Sequence, residues 1–127
     1  MPVIRRLGWA AGLVLLAVAL PAQAMPVSEF LKRWERLGTL GQMAGLDPDG
    51  AALTSELRGI VEGFRIDVDA GAKASKPIAC PPPKGEAQLA SGPLIAYLGG
   101  LSPTEQEAEL KPALYAYLIK LYPCPAA

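Results

Sequence analysis

A chain of 127 residues with no net charge and no histidine is long enough for one small domain and lacks the side chain most often used as a general base. Without histidine, Ser-His-Asp catalysis, Cys-His catalysis and His-based zinc sites are excluded, and two cysteines are too few for a four-thiolate zinc site. Lys and Arg do not cluster into the basic stripe that nucleic-acid binding needs, so we predict a protein that is not an enzyme, carries no cofactor and binds no nucleic acid.

The first part of the chain has the pattern of a cleaved secretory signal. Arg5 and Arg6 precede an uncharged, mostly apolar run over residues 7–20, and a small-x-small cleavage site ends at Ala24. The apolar run is about 14 residues long, short of the roughly 20 that span a bilayer, so a membrane anchor is disfavoured. Met25 rather than a cysteine follows the site, which disfavours a lipoprotein.

We therefore predict that residues 1–24 are a cleaved signal peptide and that residues 25–127 form a single periplasmic domain, with no stable membrane anchor after cleavage. Without the two arginines of the signal, ten Lys and Arg face twelve Asp and Glu, a net charge of −2. That balance leaves no polybasic patch for a membrane surface. Export also places the chain in an oxidising compartment, where two cysteines are more often paired than free.

Both cysteines lie in proline-rich segments. Cys80 is followed by residues 81–83, which are all proline, and Cys124 lies between Pro123 and Pro125. The two cysteines are 44 residues apart, which is too far for a redox CxxC pair. We predict that Cys80 and Cys124 form a disulfide that ties the last helix to the middle of the chain.

Apolar residues at three- and four-residue spacing predict two helices in the first half. The first begins near Ser28 and ends between residues 37 and 44. Its apolar face includes Trp34, and because aromatics on such a face are more often core than binding residues, we place Trp34 in the core, with partner binding as the alternative. Asp47-Pro48 caps the second helix, which ends near Gly71.

The end of the second helix offers two other interpretations. Residues 64–68 alternate in polarity and are the nearest approach to a strand, but the longer helical pattern explains them better. Asp67 and Asp69 are two residues apart and point to different faces of a helix, so we predict solvated residues rather than an acid/base pair.

Two further helices are predicted in the second half. One begins at residues 91–93 and stops at Gly99-Gly100. The last begins at a capping box, in which Ser102 is the cap and Glu105 the third helical residue. Pro112 kinks or restarts this helix, and Tyr122-Pro123 ends it.

One carboxylate grouping partly matches a calcium-binding loop. With Gly50 as the sixth residue of an EF-hand, Asp47, Asp49 and Glu56 fall at positions three, five and twelve. Position one is then Gly45, which supplies no carboxylate ligand. Asp47 as a helix cap explains the same residues without a metal, so we predict no metal site.

The order of motifs in the second half carries a family resemblance. Cys80-Pro81, Tyr97-Leu98, Ser102-Pro103 and a final helix ending in Tyr122-Pro123-Cys124-Pro125 follow one another over about 48 residues. In this order they resemble the immunity proteins of type VI secretion amidase effectors. The resemblance implies a small helical periplasmic protein, stapled by its paired cysteines, that binds and occludes a peptidoglycan-cleaving amidase. It assigns no inhibitory residue, so the partner-contact residues stay unknown.

We therefore predict an all-α fold, a small four-helix domain with one disulfide, that acts as a secreted, non-enzymatic binding protein. The resemblance makes a peptidoglycan amidase the expected partner and a homodimer the expected assembly. The alternative is a small periplasmic stress-response or chaperone-like protein that exposes apolar surface when its twelve carboxylates are protonated.

Overall fold

A computed structural model of the chain describes residues 25–85 and 89–126, and the predicted signal peptide lies outside them. The described residues form helices and no strand, which confirms the all-α class. In chain order the elements are α1 (Val27–Thr39), a 3₁₀ helix (Gly41–Leu46), α2 (Pro48–Lys73), α3 (Ser91–Gly99), α4 (Pro103–Gln106) and α5 (Leu110–Leu121).

The predicted last helix is two helices, α4 and α5. Its start is as expected, since the Ser102 hydroxyl accepts a hydrogen bond from the Glu105 N–H at 3.2 Å. The chain then leaves the helix because the N-terminal segment pairs with it: the Leu110 N–H donates to the Met25 carbonyl at 2.8 Å. Pro112 therefore lies in the first turn of α5, where its missing N–H costs nothing, rather than at a kink.

The first two helices begin and end close to the predicted residues. Asp47 caps α2, because its carboxylate accepts a hydrogen bond from the Asp49 N–H at 2.9 Å. Helix α2 continues through Gly71 to Lys73. At Gly71 a Cβ atom would lie 2.7 Å from the Lys76 carbonyl oxygen, so glycine here permits the chain to turn back along the helix.

One hydrophobic core joins the four longer helices, and no polar side chain is buried among the described residues. Each fully buried Leu or Phe stabilises the fold by about 1.5–3 kcal/mol relative to an exposed one. The core residues are Val27, Phe30, Leu37, Leu53, Ile60, Phe64, Ala79, Leu94, Leu98, Leu110, Leu114, Tyr117 and Leu118.

The predicted disulfide is confirmed. Cys80 and Cys124 are bonded, and the Cys80 N–H donates to the Tyr122 carbonyl at 2.9 Å. Beside them, Ala79 is buried in the core. The segment from 77 to 84, which we call the proline strap, is thereby fastened to the C-terminal end of α5.

A hydrogen bond between α2 and α5 was not predicted. The Tyr115 hydroxyl donates to Asp67 Oδ2 at 2.7 Å, and the Tyr115 ring packs edge-on against Phe64 with centroids 5.2 Å apart. The sequence predicted a solvated residue at Asp67, but its carboxylate accepts this hydrogen bond from Tyr115. Burial, and then the Asp67 carboxylate, raise the pKa of Tyr115 to about 12.

We expect the double variant Cys80→Ser with Cys124→Ser to lose about 4 kcal/mol of unfolding free energy, because opening a loop of this length frees the unfolded chain. Urea unfolding of oxidised parent and variant measures the difference. The parent treated with reductant is the matched control and should unfold like the variant. A loss under about 1 kcal/mol would show that the disulfide is incidental to stability.

We expect Tyr115→Phe to remove a step with a midpoint near 12 from a spectrophotometric tyrosine titration. The raised pKa favours the neutral phenol in the folded state. Its contribution to stability is therefore complete below about pH 10 and is lost as the pH rises through about 12. Tyr97→Phe is the control, and persistence of the step near 12 in Tyr115→Phe would contradict the assignment.

Candidate functional site

An apolar groove of about 750 Å³ lies where the end of α1, the 3₁₀ helix and the start of α2 meet. Small residues and aliphatic side chains form most of its lining, and Arg58 is its one charged residue among those described. Trp34 forms part of the wall: it is half-buried and stacks on Phe30 with ring centroids 6.2 Å apart. Trp34 thus packs against the core, as predicted, and its side chain also borders the groove.

Gly50 allows the 3₁₀ helix to pack against α2. A Cβ atom at this position would lie 2.7 Å from the backbone oxygen of Ala44, closer than real Cβ contacts permit. Gly41, at the start of the 3₁₀ helix, has φ of 55°, which glycine adopts without strain. The groove thus depends on Gly50, which has no Cβ to meet Ala44, and on Gly41, which adopts a positive φ.

The 3₁₀ helix presents apolar side chains to solvent. Its six residues, Gly41–Leu46, carry no charge, and Met43 and Leu46 are 61% and 79% exposed. Leu46 has the highest exposure among the large hydrophobic residues that the structure describes. Neighbouring exposed apolar side chains beside a groove are typical of a surface that another molecule covers.

Four charged side chains, which we call the ionic brace, hold the two ends of the 3₁₀ helix. Arg36 donates to Asp47 Oδ1 at 2.7 Å and to Asp49 Oδ2 at 2.6 Å, and Arg33 lies 3.7 Å from Asp49. Because these side chains are partly exposed, each pair contributes little to global stability, but together they link α1 to the start of α2.

Acid weakens the ionic brace, because it protonates Asp47. The hydrogen bond from Arg36, and then that from the Asp49 N–H, lower the pKa of Asp47. In turn, the carboxylates of Asp47 and Asp49 raise the pKa of Arg36 above its usual range. A lowered carboxyl pKa gives stability that is present above the unfolded pKa of about 3.9 and is lost as the pH falls through the folded value. The brace is therefore intact at neutral pH.

The carboxylates of the EF-hand alternative have other partners. Asp47 caps α2 and binds Arg36, and Asp49 binds Arg36 and Arg33. In residues 25–85 and 89–126, no three His, Cys, Asp or Glu side chains lie together as a metal-binding group. Asp47 thus has the capping role that the sequence favoured.

Beyond the groove, two smaller cavities continue along α2. Leu57 and Arg58 line both the groove and a cavity of about 340 Å³. Arg65 and Lys84 line that cavity and another of about 540 Å³, which runs beside the proline strap. We call this pair of cavities the α2 channel.

The sequence analysis did not identify this surface. It left the partner contacts unknown and ended the first helix between residues 37 and 44, inside the segment that forms the 3₁₀ helix. The sequence does contain a local signal. Residues 41–46 are uncharged and include two glycines, and they lie between a charged helix and Asp47-Pro48. Met43 and Leu46 are the large apolar residues of this segment.

Comparisons of the chain with protein-family models, with curated proteins and with solved structures found no match. In the part of the chain that the structure describes, each helix is too short or too polar to cross a membrane. Function is therefore inferred from the groove, the channel and the motif resemblance.

We expect Gly50→Ala to displace the 3₁₀ helix and to lower the unfolding free energy by about 1–3 kcal/mol, the usual cost of overpacking. The matched control is Gly45→Ala in the same segment, where a Cβ atom would meet nothing within 4 Å. Thermal unfolding gives the stability difference, and Trp34 fluorescence reports the groove wall. Equal behaviour of the two variants would contradict the packing role of Gly50.

Proposed function

We propose that the protein is a periplasmic, non-enzymatic binding protein that docks on another protein through its 3₁₀ helix and the adjoining groove. The observation that carries this proposal is the exposure of Met43 and Leu46 on an uncharged segment beside a 750 Å³ apolar groove. Covering both side chains releases about 1.5–3 kcal/mol each, which suits them as anchor residues.

The motif resemblance suggests the class of partner, a peptidoglycan-cleaving amidase. An uncharged, apolar segment fits a neutral enzyme cleft without leaving a charge unpaired in the complex. The protein then inhibits by steric occlusion and performs no chemistry of its own. The Cys80–Cys124 disulfide is consistent with the oxidising compartment in which such a partner acts.

The groove and the exposed side chains have complementary roles in this proposal. Met43 is unbranched and adapts its shape to an apolar pocket on the partner. The groove, in turn, accepts an apolar side chain of the partner against Trp34 and Leu53. The ionic brace holds the two features at a fixed distance, which reduces the entropy lost on binding.

We expect the oxidised mature protein, used as bait on periplasmic extract, to retain one amidase and to inhibit its hydrolysis of purified sacculi stoichiometrically. In the variant Met43→Glu with Leu46→Glu, affinity should fall roughly 100-fold or more, because two anchors are lost. Ile119→Glu is the matched control: Ile119 lies on α5 outside the groove and is 40% exposed, so affinity should be unchanged.

Two results would contradict the proposal. Retention of many unrelated proteins only at acidic pH, with no effect of the double variant, would favour the chaperone-like alternative. Inhibition of the amidase that survives the double variant and is lost in Ile119→Glu would place the docking surface elsewhere.

A further inference from the structure

The α2 channel and the docking groove form one continuous surface. They share Leu57 and Arg58, and the channel ends beside Asp69. From Gly50 to Asp69 the path along α2 is about 28 Å, at 1.5 Å per helical residue. A partner segment anchored in the groove therefore has this length of α2 beside it.

Three cations surround the middle of this surface. Arg58, Arg65 and Lys84 line the channel together with two carboxylates, those of Glu62 and Asp69. None of the three cations is within 4.0 Å of a carboxylate in the part of the chain described, whereas the arginines of the ionic brace are paired. Three cations against two carboxylates leave the channel with a charge of +1, and the excess lies in the smaller cavity, where Arg58, Arg65 and Lys84 face Glu62 alone.

The backbone fixes the position of these charges. Arg58 and Arg65 are seven residues apart on α2 and so share one helix face. Lys84 belongs to the proline strap, which the disulfide fastens to α5 and which Arg65 contacts through a 3.5 Å hydrogen bond to the Pro82 carbonyl. Apolar Val61 lines the cavity between the charged side chains.

From this charge pattern we infer that the α2 channel binds an acidic segment of the partner protein. An apolar side chain of the segment enters the groove, and its carboxylates face Arg58, Arg65 and Lys84. The inference rests on the proposed function and adds the chemistry of the partner segment. Complementary charges of this kind speed association and select the partner more than they add affinity.

Other ligands fit the channel less well. Membrane surfaces and nucleic acid are bound by larger groups of cations than three, on surfaces without interposed carboxylates. The competing occupant is a second copy of this chain, because Glu105, Glu107 and Glu109 form an exposed acidic edge around α4. The experiment must therefore separate a partner segment from self-association.

The probe is a rhodamine-labelled helical peptide of about 18 residues, the length of the surface, with leucines on one face and glutamates on the other. A second peptide has glutamine in place of every glutamate. Fluorescence anisotropy with the oxidised mature protein should give about tenfold or tighter binding of the glutamate peptide at about 50 mM salt. The difference should disappear near 500 mM salt, where charges are screened within a few ångströms.

Matched variants locate the effect. Arg58→Gln with Arg65→Gln should abolish the preference for the glutamate peptide, measured as the ratio of the two peptide affinities. Glu62→Gln, on the same helix face, should strengthen glutamate-peptide binding. Lys120→Gln, which removes a cation of α5 outside the channel, should leave the preference intact.

Equal affinity for the two peptides at low salt would overturn the inference. So would a dimer in sedimentation that dissociates in Arg58→Gln with Arg65→Gln, because the channel would then belong to a second copy. Amidase capture that persists while the peptide preference is absent would refute the inference alone. Loss of capture in Met43→Glu with Leu46→Glu supports the proposed function whichever peptide result is obtained.

Discussion

The disulfide between Cys80 and Cys124 joins the middle of the chain to its end, and the surface of α2 depends on that junction. It holds the proline strap beside α2, where the Pro82 carbonyl meets Arg65 and Lys84 reaches the channel. A loop of 44 residues closed by a disulfide stabilises by about 4 kcal/mol, against a total of about 5–15 kcal/mol for a typical domain. The same bond thus stabilises the fold and positions one wall of the channel.

The exposed apolar side chains on the 3₁₀ helix, unlike the disulfide, do not stabilise the fold. Met43 and Leu46 gain nothing from the core, and a domain of about 100 residues has little apolar surface to spare. Their segment is nevertheless held in place from both sides, by the close packing at Gly50 and by the pairing of Arg36 with Asp47. A segment that is fixed in position but left uncovered is better explained by binding than by folding.

Local signals in the sequence predicted most of the fold. The structure confirms the caps at Asp47 and Ser102 and the apolar spacing within helices, because each depends on residues close in the chain. It also confirms the disulfide, which was predicted because the chain has only two cysteines. The break between α4 and α5 was missed because it follows from pairing with Met25, which lies 85 residues earlier than Leu110 in the chain. The groove was missed for a similar reason, since it exists only where α1, the 3₁₀ helix and α2 meet.

The two parts of the proposed surface have independent supports. The groove depends on the ionic brace, which weakens when acid protonates Asp47 and is insensitive to reductant. The channel depends on the proline strap, which a reductant releases and mild acid leaves in place, since a disulfide does not titrate. Acid therefore acts first on the apolar anchors, and reduction acts first on the position of Lys84. The proposed binding to both parts therefore needs an intact disulfide and a pH well above the pKa of Asp47.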